Sequence, residues 1–120
     1  MARTLALTAE LNWPIEDGKQ AAKIDLGLSM TYTSSLHIEK VYASTVTDEV
    51  LELPMTTAKF LILRAIGTED VQVKLNGNAN AITLKAGAGY VMIYNPDGTI
   101  TGVTVTVAAQ PATLQGWAFA

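Results

Sequence analysis

Val71-Gln72-Val73-Lys74-Leu75-Asn76-Gly77-Asn78 is the stretch that decides the fold class. Its apolar residues fall at every second position, with Gln72 and Lys74 between them. Successive side chains of an extended chain point to opposite faces, so this run reads as a strand with one face buried. It ends in Asn-Gly, the pair that accepts the positive φ values of a two-residue hairpin turn. The same grammar repeats downstream. Ala81–Leu84 is a short strand closed by Lys85-Ala86-Gly87, and Tyr90–Tyr94 is followed by the turn residues Asn95-Pro96-Asp97-Gly98. Val103, Val105 and Val107 alternate with Thr104 and Thr106, and Leu114, Trp117 and Phe119 mark a last strand.

Upstream the pattern holds. Leu5, Leu7, Ala9 and Leu11 alternate with Thr4, Ala6, Thr8 and Glu10, and the run breaks at Asn12-Trp13-Pro14. Glu16-Asp17-Gly18-Lys19 reads as a turn, and Ile24, Leu26, Leu28, Met30 and Tyr32 alternate after it. Two places lose the period. Leu36 and Ile38 are followed by Val41, and Leu114 by Trp117, which predicts bulges near Glu39-Lys40 and at Gln115-Gly116. Val50, Leu51 and Leu53 form a short run that stops at Pro54. Phe60–Ile66 is apolar throughout except for Arg64, the pattern of a strand covered on both faces or lying at an oligomer contact. The helix candidates are Thr56–Lys59, one turn at most, and Asp17–Lys23. Eight to ten strands at a spacing of about ten residues predict an all-β fold of antiparallel strands, a β-sandwich or barrel. No repeat, low-complexity tract or long linker divides the chain, so residues 1–120 are expected to form a single β-sandwich domain.

Composition narrows the function classes. The 120 residues are 49% apolar and only 16% charged, which is the balance of a folded core and not of a disordered tail. A net charge of −3 argues against binding nucleic acid through its phosphates. There is no cysteine and a single histidine, His37, so thiolate metal sites, a cysteine nucleophile and a two-histidine metal site are excluded. No cofactor is expected. Leu5, Ala6 and Leu7 are too few for a signal peptide before Glu10 and Asn12 intervene, and no run approaches the ~20 apolar residues of a membrane helix. The chain reads as one small gene product.

No motif carries catalysis. His37 sits between Leu36 and Ile38 as an outward strand residue, and Ser34 and Ser35 beside it lack a nucleophile-elbow pattern. Glu16-Asp17 and Asp48-Glu49 with Glu52 offer paired carboxylates, but the eight scattered aromatic residues do not predict a sugar cleft around them. Asn76, Asn78 and Asn80 alternate like a calcium loop but are neutral amides, and a hairpin turn explains them. Gly87-Ala88-Gly89 and Gly18-Lys19-Gln20 fail the phosphate-loop pattern. The protein is expected not to be an enzyme. Residues near the chain ends and on the Phe60–Ile66 strand, aromatic or apolar except for Arg64, are the candidates for contact with a partner. They are Leu5, Leu7, Leu11 and Trp13 in the first strand, Phe60, Ile62 and Arg64 in the apolar strand, and Trp117 and Phe119 in the last.

Leu53-Pro54, Ala58-Lys59-Phe60-Leu61-Ile62-Leu63-Arg64, Val71-Gln72-Val73 and Ile82-Thr83-Leu84-Lys85-Ala86-Gly87 together resemble small virion structural proteins of tailed bacteriophages. The resemblance spans Leu51 to Val107, under half of the chain, and departs from that group at Ala88, where an acidic residue is usual. It implies a jelly-roll-like sandwich acting without catalysis as a capsid decoration (cement) protein on the outside of the virion, made in the bacterial host cytoplasm. The implied partners are the major capsid protein and further copies of the chain, as a homo-oligomer, commonly a trimer, with neither nucleic acid nor membrane involved. Two alternatives stand beside it: a tail or head–tail connector component, and a carbohydrate-binding module for a host-surface glycan that would use Trp13, Tyr90, Tyr94 and Trp117.

Overall fold

The computed structural model describes residues 2–13 and 22–120 and is all-β. Ten strands follow one another: β1 (Arg3–Trp13), β2 (Ala22–Tyr32), β3 (Ser35–Tyr42), β4 (Val46–Leu51), β5 (Phe60–Ala65), β6 (Val71–Leu75), β7 (Ile82–Leu84), β8 (Tyr90–Tyr94), β9 (Val103–Val107) and β10 (Ala112–Phe119). Every strand pair is antiparallel. The chain separates into two compact units, residues 1–33 and 34–120.

The first unit is a two-stranded ribbon. β1 and β2 pair without interruption from Arg3↔Tyr32 to Trp13↔Ala22. The register puts Leu5 opposite Met30 and Leu7 opposite Leu28, so the apolar positions of both strands share a face, and Thr4 and Ala6 meet Thr31 and Ser29 on the other. Leu5, Leu7 and Ala9 are half-buried, whereas Thr4, Ala6 and Thr8 are exposed. Leu11 and Trp13 hold register positions opposite Ile24 and Ala22, and their side chains lie outside the described residues. So does the expected turn at Glu16–Lys19. Of the helix candidate Asp17–Lys23, Ala22 and Lys23 belong to β2, and the rest also lies outside the described residues.

The second unit is a sandwich of two four-stranded sheets, ordered β3-β10-β5-β8 and β4-β9-β6-β7. Its winding is nested. β3 pairs with β10, β4 with β9, β5 with β8 and β6 with β7, first with last and inward to the middle. Rolling that ribbon brings β10 against β5 and β9 against β6. The innermost hairpin turns at Asn76-Gly77, where both residues have positive φ (54° and 71°) and the Asn78 N–H donates to the Leu75 carbonyl at 2.9 Å. The Asn76 side-chain oxygen also accepts from the Thr101 N–H at 2.7 Å, tying this turn to the loop before β9. The asparagine run is therefore a hairpin turn and a clamp on its neighbour.

The core lies between the sheets and is built from the alternate residues that the sequence marks. Leu61, Leu63 and Ala65 of β5 and Ala112, Leu114 and Ala118 of β10 face Val71, Val73, Val103, Val105 and Val107 of the other sheet, all essentially inaccessible. Each Val or Leu so buried contributes about 1.5–3 kcal/mol of transfer free energy. Gly116 belongs to the same inward row, and a Cβ there would run into the Ile62 carbonyl and the Leu63 side chain. β10 can lie this close to β5 only with glycine at that point.

Three local expectations change. β3 and β10 pair residue for residue from Ala112↔Tyr42 to Phe119↔Ser35, so neither Glu39-Lys40 nor Gln115-Gly116 is a bulge. The bulge is in β4, where the register shifts between Val46 and Glu49 and Asp48 takes φ 49°, a conformation that Asp tolerates better than most residues. Thr56–Lys59 makes no helical turn. Ala58 instead exchanges backbone hydrogen bonds with Ile100, at 2.8 and 3.2 Å.

The open side between β3 and β4 is closed by charge. Lys40 reaches Glu49 at 3.5 Å and lies 5.0 Å from the centre of the Tyr42 ring. Tyr42 is buried and its hydroxyl has no hydrogen-bond partner. Burial, and secondarily the Glu49 carboxylate, pushes its phenol up to about 12. The unfolded phenol titrates near 10, so the stabilising contribution is complete below pH 10 and is lost as pH rises toward 12. Tyr42→Phe removes an unsatisfied hydroxyl, and urea unfolding is expected to show it as stable as the parent or up to about 1 kcal/mol more stable at pH 7. Its stability should also fall less than the parent's between pH 10 and pH 12.

Candidate functional site

The two outer faces of the sandwich differ in chemistry. On the β4-β9-β6-β7 sheet, Thr104 and Thr106 of β9 lie opposite Lys74 and Gln72 of β6. Asp48 extends this polar face. Its carboxylate is 2.9 Å from the Lys74 ammonium, and its N–H donates to the Thr106 hydroxyl at 3.0 Å.

On the β3-β10-β5-β8 sheet, the outward residues are mostly aromatic or large and apolar. The registers set them in rows across the strands. Tyr94, Phe60 and Phe119 make one row, and Met92, Ile62, Trp117 and His37 the next. Tyr90, Arg64, Gln115 and Glu39 make a third, and Thr113 and Val41 continue beyond it. Phe60 and Phe119 meet edge to face with centroids 5.9 Å apart, and the His37 and Trp117 rings stack at 5.0 Å and 16°. Tyr90 is 64% exposed and Val41 63%, and Met92 and Tyr94 are about 40% exposed. Of the six large hydrophobic residues that are exposed among the described residues, these four share one face. Beside them Ile62, Arg64, Tyr90 and the Gly87-Ala88 turn line an open depression of about 340 Å³.

Five candidate contact residues, Phe60, Ile62, Arg64, Trp117 and Phe119, thus come together on one side of one sheet, although Phe60 is only 3% exposed and offers a partner no surface of its own. Leu5 and Leu7 lie in the ribbon unit. Met92 and Val41 were not singled out by sequence reading, and His37 was read only as an outward strand residue. The signal for Met92 lies in Tyr90–Tyr94, where apolar side chains fall on both faces of the strand.

The other chemical candidates within the described residues dissolve into structure, and Glu16-Asp17 and Gly18-Lys19-Gln20 lie outside the described residues. Glu49 engages Lys40 and Asp48 engages Lys74, so these neighbouring carboxylates turn to different partners. Ala88 and Gly89 donate their N–H groups to the Lys85 carbonyl and form a tight turn. Asp70 accepts from the Ala86 N–H and from Lys85, which holds its carboxyl below the usual range and pins that turn to the start of β6. Among the described residues no cluster of three or more histidine or acidic residues could hold a metal ion, and no helix is long and apolar enough to cross a membrane.

A stacked cross-strand aromatic pair stabilises antiparallel strands by roughly 0.2–1 kcal/mol. A double-mutant cycle on His37→Ala and Trp117→Ala, followed by urea unfolding, is expected to return a coupling free energy in that range. A coupling of zero would mean that the stack adds nothing beyond each residue's own contacts.

Compared with protein-family models, with curated proteins and with solved structures, the chain shows no match.

Proposed function

We propose that the protein is a non-enzymatic structural component of a tailed-phage virion, acting as a capsid decoration protein that bridges major capsid proteins. The observation that carries the reading is the inequality of the two outer faces, one polar apart from the exposed Val50 and one rich in aromatic and apolar side chains. Exposed apolar surface such as that of Tyr90, Met92 and Tyr94, continued by Ile62 and Trp117, marks a contact surface on a small domain. Aromatic residues and methionine are the types that concentrate at interfaces. The eight strands of residues 34–120 also pair in the nested order that suits a jelly roll, two sheets wound from one folded ribbon, and we assign that architecture as part of the same proposal. A subunit of this kind stabilises a shell by mass action, because its contacts exist only in the assembled state.

A second reading has its own support. Tyr90, Tyr94 and Trp117 stand on one sheet face, and exposed rings on a sandwich face suit sugar stacking by a carbohydrate-binding module.

The test is to add the purified chain to phage heads from which it is missing and to measure binding and the temperature at which the shells open. Binding with a higher opening temperature is expected. Ile62→Glu, which puts a charge in the middle of the aromatic face, should lower head affinity at least about tenfold, the cost of burying an unpaired charge at a contact. Absence of the protein from purified virions, or equal head binding by the variant, would overturn the reading. A glycan array with saturable hits and a change in tryptophan fluorescence on sugar addition would favour the second one. Labelled protein found on tails instead of shells would favour a tail or connector role.

A further inference from the structure

A sheet edge presents a row of backbone N–H and C=O groups to any strand that can pair with it. The sandwich has four edges: β3 and β8 on one sheet, β4 and β7 on the other. Three of them carry a feature that blunts further pairing. β3 turns a charge to its inner side, with Lys40 in register with the buried Leu114. β4 is bulged and bears Asp48 and Glu49. β7 is three residues long. β8 has no charge and no proline, and it pairs with β5 without a shift from Tyr90 to Tyr94.

The direction of the backbone groups that β8 does not use to bond β5 follows from hydrogen bonds at its two ends. Ala65 N–H donates to the Gly89 carbonyl, and Asn95 N–H donates to the Lys59 carbonyl. In an antiparallel ladder the residues that bond to one neighbour alternate with those that face the other side. The odd-numbered residues therefore bond to β5, and the N–H and C=O groups of Tyr90, Met92 and Tyr94 point away from it, to an edge that pairs with no other strand among the described residues. The strand is also a palindrome in chemical type: Tyr-Val-Met-Ile-Tyr. Turned end for end about Met92, it sets tyrosine against tyrosine, a β-branched residue against a β-branched residue and methionine against itself.

We propose that β8 pairs antiparallel with β8 of a second copy of this chain, across a twofold axis at Met92. The backbone alternation permits a centre at Met92, and the side-chain palindrome selects it over the neighbouring registers. Met92 and its copy then form a doubly hydrogen-bonded pair, flanked by two Tyr90–Tyr94 pairs. The two four-stranded sheets become one of eight strands, and their aromatic faces join. The interface is isologous, as a twofold contact requires. Two tyrosine pairs and a methionine contact fall short of the ~1,600 Å² of a standard interface, so the dimer is concentration-dependent. Each copy carries a net charge of −3, so added salt should favour pairing by screening. The pairing does not rest on the virion reading, and either can fail alone.

Sedimentation of the whole chain, from about 10 μM to about 1 mM, tests it across the range where a small interface binds. A mass rising toward twice 12.8 kDa supports the pairing. A monomer at every concentration overturns it, and so does a trimer, the assembly that the phage resemblance implies. The chain has no cysteine of its own, so single cysteines report register. Met92→Cys would set two cysteines about 5.5 Å apart between Cα atoms, within disulfide reach. Tyr90→Cys would set them about 14 Å apart, beyond it. Oxidation should cross-link the first on the order of tenfold faster than the second, and equal rates overturn the proposed centre. Met92→Lys places like charges on the axis and should abolish the dimer with an unchanged circular dichroism spectrum. A dimer that survives this change overturns the proposal.

Discussion

β10 is hydrogen-bonded along both sides, to β3 and to β5, and that double commitment organises the eight-stranded unit. A strand held on both edges cannot slip by one residue without moving every side chain to the opposite face. Ala112, Leu114, Gly116 and Ala118 are therefore fixed inward, and Thr113, Gln115, Trp117 and Phe119 outward. The inward row is mostly small, and at Gly116 nothing larger than hydrogen fits against the Ile62 carbonyl. Close approach there lets the larger side chains of β5 and of the valine strands β6 and β9 fill the space between the sheets. The outward row begins the aromatic face. One register thus sets both the core and the surface proposed for contact.

The edges show the same economy. The sandwich is open between β3 and β4, where an apolar interior would otherwise reach solvent. Lys40 and Glu49 meet across that opening, above the Tyr42 ring. As a source of stability this half-exposed ion pair counts for little. Its stronger effect is to place charges where a foreign strand would need an apolar, unbulged edge. Tyr42 bears the cost, its hydroxyl enclosed without a partner. Among the described residues β8 has no equivalent protection, and its outward residues are among the most exposed apolar side chains.

The core was legible in the sequence wherever one face of a strand meets water. Val71–Leu75 and Val103–Val107 alternate cleanly because Gln72, Lys74, Thr104 and Thr106 lie on the polar face. The Asn76-Gly77 turn was legible because its positive φ values leave few residue choices. Legibility failed on the other sheet for a physical reason. Val41, Trp117 and Phe119 are apolar although they point outward, so the alternation disappears and the missing period looks like an inserted residue. The bulges expected at Glu39-Lys40 and Gln115-Gly116 are regular pairing beneath an apolar outer face. The real bulge, at Asp48, sits among polar residues where no alternation could be lost. Five of the nine candidate contact residues converge on the aromatic face, but Met92 and Val41 come into view only once the register across β8, β5, β10 and β3 is known.

A loss of alternation in a chain of this kind therefore carries information about surface as well as backbone. Selection for folding alone would favour polar outward residues on all strands, because exposed apolar surface invites aggregation. Here the polar rule holds on one sheet except at Val50 and lapses on the other, across three adjacent strands and their shared rows. Joining two copies at β8 would extend those rows into a single face of double length. Two linked copies on a repeating lattice bind with the second contact made intramolecular, and modest affinity per copy then suffices for firm attachment. A weak twofold edge and a broad apolar face are in that sense complementary. The edge need hold only at the local concentrations that the face creates, and the face need bind only as strongly as a paired subunit requires.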